Sequence, residues 1–116
     1  MKIFDTAKDV LPTDQKAVVV FTRGEKLGFD EEGYGGTGNW KTSLTRLEEV
    51  EKVIVYLREK GQTGGRIFVG DYLGYSPSPK GDRVIIYFAH LKETGSTTSN
   101  WFEFGKFNQN PVAFVE

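Results

Sequence analysis

The chain has 116 residues, a formal net charge of −1 and no cysteine. This length fits one domain, and the near-zero charge argues against a protein held on nucleic acid mainly by a large positive field. Without cysteine there is no disulfide, thiolate metal site or cysteine nucleophile, and a content of 38% hydrophobic and 27% charged residues disfavours wholesale disorder.

The first part of the chain predicts two strands with a helical turn between them. Residues 1–4 fit a short edge strand, and Asp5 or Thr6 is suited to cap a brief helical turn. Residues 16–22 form a continuous β-branched run, which predicts a buried central strand that ends at Gly24.

Residues 24–43 are predicted to form one long connection, charged in its first half and glycine-rich over residues 33–38. A connection of this length in a compact domain is usually functional or mobile. Residues 33–47 contain Lys41 and Arg46 and no acid. The glycine-rich part is therefore a locally positive region in a nearly neutral chain.

The next segment has two interpretations. A capping box at residues 45–48 and apolar residues on one helical face favour a helix, whereas residues 53–57 are β-branched and aromatic, which favours a strand. We predict a short helix over residues 45–51 and then a strand over residues 52–58. A single helix reaching Lys60 is the alternative.

The second half of the chain reads mainly as strands. Glycine at two positions of the first strand predicts kinks, and proline and glycine mark the turn after it. The predicted elements are a strand over 66–75 with kinks at Gly70 and Gly74, a turn over 76–82, a strand over 83–91, a polar loop over 94–99, an alternating strand over 100–107 and a closing strand over 112–115.

Together these elements predict a mainly β (α+β) fold in a single domain covering residues 1–116. Five to seven short strands and one short helix are typical of a small, partly closed antiparallel β-barrel, SH3-like in style. The chain has neither a run of 18 apolar residues nor an apolar leader. We therefore predict a cytoplasmic protein that does not act at a membrane.

Two Asn-Trp pairs are the first candidates for a binding site. Asn39-Trp40 and Asn100-Trp101 each follow a run of small residues. A tryptophan at such a junction can stack on a base or another planar ligand, and the neighbouring amide can recognise a hydrogen-bonding edge. The alternative is that the indoles fill the core and the asparagines shape turns, above all for Trp101, which the alternating pattern places in a strand.

Side chains around the first pair would complete such a site. Thr42 would contact polar edges, Lys41 and Arg46 would neutralise phosphate, and Arg66 and Lys106 are outer candidates. Tyrosines would add an aromatic pocket if they converge, the alternative being ordinary half-buried sheet tyrosines. The candidate nucleic-acid or ligand-binding residues are Tyr34, Asn39, Trp40, Lys41, Thr42, Arg46, Arg66, Tyr72, Tyr75, Asn100, Trp101 and Lys106.

Catalytic chemistry has little support in the sequence. His90 is the only histidine and lies in a mostly apolar strand, where a structural role is the expected one. The glycine-rich region lacks the spacing of the dinucleotide-binding and P-loop motifs. We therefore predict no catalytic residue, no metal site and no cofactor, and a protein that is not an enzyme.

The segment Gly81-Asp82-Arg83-Val84-Ile85-Ile86-Tyr87-Phe88 carries a family resemblance. With the preceding order of strand, glycine-rich segment, tryptophan and short helix, it resembles PUA-like barrels of the EVE and ASCH type, which often carry a Gly-Asp-X-Val/Ile-X-X-Tyr strand. These domains are generally considered readers of RNA or of modified DNA bases. The resemblance implies a PUA-like barrel and the same kind of ligand.

The sequence thus predicts a non-enzymatic binding module. Its predicted ligand is nucleic acid, including an exposed or modified base, recognised by the glycine-rich segment that carries Trp40. The alternative is a protein–protein interaction domain, such as an immunity, inhibitor or phage accessory protein. Small size, neutral charge and many aromatic residues allow that alternative.

Overall fold

The computed structural model describes residues 2–12, 14–58, 60–61, 63–79, 81–106 and 110–115. These residues form an eight-stranded mixed sheet with two short α-helices. The strands are β1 (Lys2–Ile3), β2 (Ala17–Thr22), β3 (Leu27–Phe29), β4 (Gly35–Trp40), β5 (Lys52–Arg58), β6 (Gly65–Pro77), β7 (Val84–Thr97) and β8 (Val112–Val115), and the helices are a 3-10 helix (Ala7–Asp9), α1 (Leu44–Leu47) and α2 (Trp101–Phe104).

The strand order is β3-β4-β7-β6-β5-β2-β8, with β1 added parallel to the end of β7. β2 and β5 are also parallel, with Ala17 opposite Lys52 and Thr22 opposite Leu57. Among the described residues no pairing joins β3 to β8, so the sheet is open. The prediction of a mainly β fold is confirmed. The prediction of an antiparallel sheet of five to seven strands with one short helix was wrong, because the described residues form eight strands, two parallel pairs and a second α-helix.

β2 and β5 lie between two apolar cores, because both faces of each strand are apolar. Alternate residues of a strand point to opposite faces, so β2 and β5 each contribute to two cores. Burial of each such side chain stabilises the fold by roughly 1.5–3 kcal/mol. The first core contains Val18, Val20, Val53, Val55, Ile86 and Phe88, and the second contains Val19, Ile54, Tyr56, Ile67 and Phe104.

The long β6–β7 hairpin connects the two halves of the sheet. β4 pairs with the first part of β7 and β1 with its last part. Register shifts interrupt the hairpin between Val69 and Asp71 and between Tyr72 and Gly74, and Gly74 has a φ of 137°. The kinks predicted at Gly70 and Gly74 therefore coincide with irregularities in the pairing.

The long connection predicted over residues 24–43 was wrong, because it contains the β3–β4 hairpin. Leu27 pairs with Thr37, and Phe29 pairs with Gly35. The Asp30 carboxylate accepts hydrogen bonds from the backbone N–H groups of Glu32 and Tyr34 and closes the turn. A Cβ on Gly35 would lie 2.0 Å from the Gly28 carbonyl oxygen, so glycine here permits close approach of the two strands.

The predicted strand over residues 100–107 was also wrong, because α2 lies there. Asn100 Oδ1 accepts a hydrogen bond of 2.9 Å from the backbone N–H of Glu103, whose own side chain accepts from the Asn100 N–H. This capping box favours a helix over the alternating pattern. The loop predicted over residues 94–99 was wrong in part, since β7 continues to Thr97 and is held there by β1 and β6.

Residues 52–58 of the ambiguous segment form a strand, β5, because β2 and β6 pair with it on both sides. The alternative of a single helix to Lys60 is therefore wrong, and α1 is shorter than the helix predicted over residues 45–51. Some residues of predicted elements lie outside the described residues. They are Met1, Glu59, Lys80 and Phe107.

Candidate functional site

The ends of four strands meet at one edge of the molecule. Because β2 and β5 are parallel, Arg23 immediately after β2 lies at the same edge as Arg58, the last residue of β5. Trp40 ends β4 and pairs with Val84, so Arg83 lies beside it. The β2–β3 connection, and not strand pairing, brings Arg23 to the end of β4, where the Gly38 N–H donates to the Lys26 carbonyl oxygen over 3.1 Å.

A cleft of about 560 Å³ opens at this edge. We call it the Trp40 cleft. The connection from β2 to β3 forms one wall and the end of β4 forms the other. Its polar and aromatic lining includes Arg23, Glu25, Lys26, Asn39, Trp40 and Arg83. The lining therefore contains three cations and one carboxylate.

A second cleft of about 440 Å³ adjoins the first at Trp40. We call it the Asn110 cleft. Lys41, Thr42 and Asn110 contribute to its lining, and Trp40 and Arg83 line both clefts. The two cavities therefore adjoin at Trp40 and Arg83.

Hydrogen bonds fix the positions of Trp40 and Asn39 beside the two clefts. Trp40 Nε1–H donates to Thr37 Oγ1 over 3.2 Å, and the half-buried ring packs against the first core. Asn39 Oδ1 accepts from the Ser78 hydroxyl, and its backbone carbonyl accepts from Arg83 Nη1 over 3.2 Å. β4 is irregular here, with a register shift and a cis peptide bond between Gly38 and Asn39.

The charge around the clefts is mainly positive. Arg23 and Lys26 are exposed and make no ion pair with any carboxylate among the described residues. Lys41 Nζ lies 3.2 Å from Asp82 Oδ2, and its hydrogen bond lowers the pKa of Asp82. The acidic residues 30–32 lie in the β3–β4 turn, at the far end of the hairpin from the clefts.

Trp101 lies outside both clefts but contacts their walls. Its ring packs against Phe21 and Tyr56, with centroids 5.5 and 5.8 Å away. Its Nε1–H donates to the carbonyl oxygen of Asn110 over 2.6 Å. Phe21 lines the Trp40 cleft and Asn110 lines the Asn110 cleft. Trp101 therefore supports one lining residue of each cleft and does not itself line either of them.

The three candidate tyrosines do not meet in one pocket. Tyr72 and Tyr75 pack against the first core, and burial raises the pKa of Tyr72. Tyr34 is exposed in the β3–β4 turn, where its ring meets His90 edge to face at 5.5 Å. None of the three lines the Trp40 or Asn110 cleft.

The remaining candidates are divided between this edge and other parts of the molecule. Arg46 lies over the Phe114 ring at 4.3 Å. Arg66 forms a bidentate ion pair with Glu93, and the hydrogen bonds from Arg66 lower the pKa of Glu93. The structure thus brings together Asn39, Trp40, Lys41 and Thr42 at the two clefts, and places Tyr34, Arg46, Arg66, Tyr72, Tyr75, Asn100, Trp101 and Lys106 outside the lining of both.

An Asp-His contact lies away from these clefts. His90 Nδ1 is 2.8 Å from Asp71 Oδ2, and Lys52 contacts the other carboxylate oxygen. The hydrogen bond from Lys52, followed by that from His90, lowers the pKa of Asp71. Within the ranges that the structure describes, no three histidine or acidic side chains are grouped so as to hold a metal ion. No helix in those ranges is long and apolar enough to cross a membrane.

Three cations that line the Trp40 cleft were missed by the sequence analysis: Arg23, Lys26 and Arg83. Each lies directly beside a strand, in a connecting segment. This position is a weak signal by itself, because connecting segments lie on the surface and charged residues are mostly exposed. Only the pairing of β4 with β7 and the course of the β2–β3 connection bring them to Trp40.

No family model, curated protein or solved structure matches the chain. The function proposed for it therefore depends on the geometry and charge of this edge.

Proposed function

We propose that the protein is a non-enzymatic nucleic-acid-binding module that holds an exposed base, including a modified one, against Trp40. The observation that carries the proposal is that Trp40 lines two adjoining clefts, each of which is also lined by cations. Base stacking on an aromatic side chain contributes roughly 1–3 kcal/mol per base. A fixed indole loses little conformational entropy on binding, so most of this energy is retained.

Polar groups beside the indole fit the edges of a base. The Asn39 amide oxygen is engaged by Ser78, which orients the amide nitrogen as a donor. Thr42 lines the Asn110 cleft and supplies a hydroxyl that donates or accepts. These groups support recognition of a base edge in each of the two clefts.

The cations supply phosphate contacts without making the whole protein basic. Arg23, Lys26 and Arg83 face one cleft, and the net charge of the chain is still −1. Binding to a single strand through few phosphates should give a shallow salt dependence, with a slope of about −0.7 per phosphate. Two predictions from the sequence are part of the same proposal. They are a sheet arranged in the PUA-like or SH3-like style and a cytoplasmic location.

Tryptophan fluorescence tests the proposal. In the Trp101→Phe protein, Trp40 is the only indole, because the chain contains two tryptophans. Titration with a mixed-sequence single-stranded oligonucleotide at low salt is expected to quench its emission. Trp40→Ala is expected to weaken binding measured by anisotropy roughly fivefold to a hundredfold, the equivalent of one stacked base.

Two results would contradict the proposal. One is unchanged emission together with no binding of DNA or RNA at low salt. The other is a Trp40→Ala protein that binds as tightly as the unaltered protein. Stoichiometric co-purification of a protein, without any oligonucleotide binding, would instead favour the protein–protein interaction domain.

A further inference from the structure

A third cleft extends the site beyond Trp40. It measures about 390 Å³ and is lined by Arg23, Arg58, Lys60 and Gly61. We call it the Lys60 cleft. Arg23 lines this cleft and the Trp40 cleft as well, so the two adjoin.

The three clefts therefore form a row, which we call the basic groove. Arg23 links the Lys60 cleft to the Trp40 cleft, and Trp40 with Arg83 links the Trp40 cleft to the Asn110 cleft. Every member of the row is lined by at least one cation. Its basic residues are Arg23, Lys26, Lys41, Arg58, Lys60 and Arg83.

Strand pairing places two of these cations side by side, and the β2–β3 connection continues the row to β4. Thr22 is opposite Leu57, so Arg23 and Arg58 are neighbours at the ends of two parallel strands. Lys60 continues from β5, while Lys26 and Arg83 continue toward β4. A row of this kind suits a chain of regularly spaced negative charges better than a single small anion.

We infer that the ligand is a single-stranded nucleic acid that runs along the whole basic groove, with one base against Trp40 and its backbone on the cations of all three clefts. This inference rests on the proposed function. A single strand fits because the faces of its bases are accessible to an aromatic side chain, whereas duplex bases are already stacked on each other. Grooves that combine cations with an aromatic platform commonly hold single strands of about 4–16 nucleotides.

The test compares ligand length with a charge reversal at the far end of the groove. The two probes are a dinucleotide and a single strand of about eight nucleotides, within the usual range of site sizes. Lys60→Glu is the test variant, and Lys92→Glu is its control, since Lys92 is exposed and lines none of the three clefts. Circular dichroism confirms that both variants are folded.

We expect the longer strand to bind the unaltered protein more tightly than the dinucleotide. Lys60→Glu should weaken binding of the longer strand roughly fivefold and reduce its salt slope by about 0.7, the value for one phosphate. Dinucleotide binding by this variant should be unchanged, because Trp40 and its own cleft are intact. The Lys92→Glu protein should bind both probes as the unaltered protein does.

The outcomes separate this inference from the proposed function. If the dinucleotide binds and the longer strand binds no tighter, or if Lys60→Glu matches Lys92→Glu, the extended path is overturned and the Trp40 site stands. If a duplex of equal length binds more tightly than the single strand, the single-strand assignment is overturned. If neither probe binds at low salt, the proposed function itself fails.

Discussion

Replacing Arg23 and Arg83 together by glutamate is expected to lower the affinity for a single-stranded oligonucleotide on the order of a hundredfold. Each arginine lines two adjoining clefts, so each reversal acts on more than one part of the groove. A tenfold effect per side chain corresponds to about 1.4 kcal/mol. Fluorescence anisotropy with a labelled oligonucleotide measures the loss.

A matched variant distinguishes a local effect from the change in net charge. Lys16→Glu/Lys92→Glu changes the total charge by the same amount as the arginine double variant. Both lysines are exposed and line no part of the groove. Binding by this control should stay within about threefold of the unaltered protein after allowance for screening at physiological salt. Equal losses in the two double variants would show that the groove is not the binding surface.

Phe104→Ala is expected to destabilise the fold by about 3–5 kcal/mol, the usual cost of removing a buried phenylalanine side chain. The side chain is fully buried in the second core, where its ring centroid lies 5.2 Å from that of Tyr56. The surrounding strands are held by pairing on both sides, so the cavity cannot collapse easily. Urea unfolding followed by circular dichroism measures the change in the free energy of unfolding.

Phe102→Ala in the same helix is the matched control. Its side chain is 42% exposed, so the same substitution removes much less buried surface. We expect a loss below about 1 kcal/mol, in keeping with surface substitutions. If the two variants unfold at the same urea concentration, the second core does not pack as described.

Much of the sheet could be predicted because the sequence patterns that identify its strands lie within the strands themselves. The β-branched runs of β2 and β5 and the alternating or apolar segments of β6 and β8 identify strands from their own residues. The choice between a strand and a helix at residues 52–58 was harder, since local propensity allowed both. Pairing of β5 with β2 and β6 decides it.

The predictions were wrong where strand pairing with a distant segment, or a helix-capping box, outweighs the pattern of apolar and polar residues in the segment itself. The polar end of β7 resembles a loop, yet β1 from the start of the chain pairs with it. Glycine in β4 suggested a flexible connection, although Gly35 is needed for close approach to β3. At Trp101 the capping box around Asn100 outweighs the alternation of apolar and polar residues.

The candidate site was predictable only in its centre. Trp40, Lys41 and Asn39 are contiguous in the sequence, so their composition could be recognised directly. Arg23 and Arg83 are separated from them by many residues. Arg83 joins the site through the antiparallel pairing of β4 with β7, and Arg23 joins it through the course of the β2–β3 connection, neither of which a local pattern encodes.

The central claim is that Trp40 and the cations beside it form the ligand-binding surface, and NMR mapping tests it most directly. A ¹H–¹⁵N spectrum of the labelled protein resolves two indole N–H signals, one for each tryptophan. On addition of a single-stranded oligonucleotide, we expect the Trp40 indole and the amides of Arg23, Lys26 and Arg83 to shift, and the Tyr34 amide at the far turn to stay unchanged. Shifts confined to the Tyr34 region, or no shifts at all, would contradict the claim.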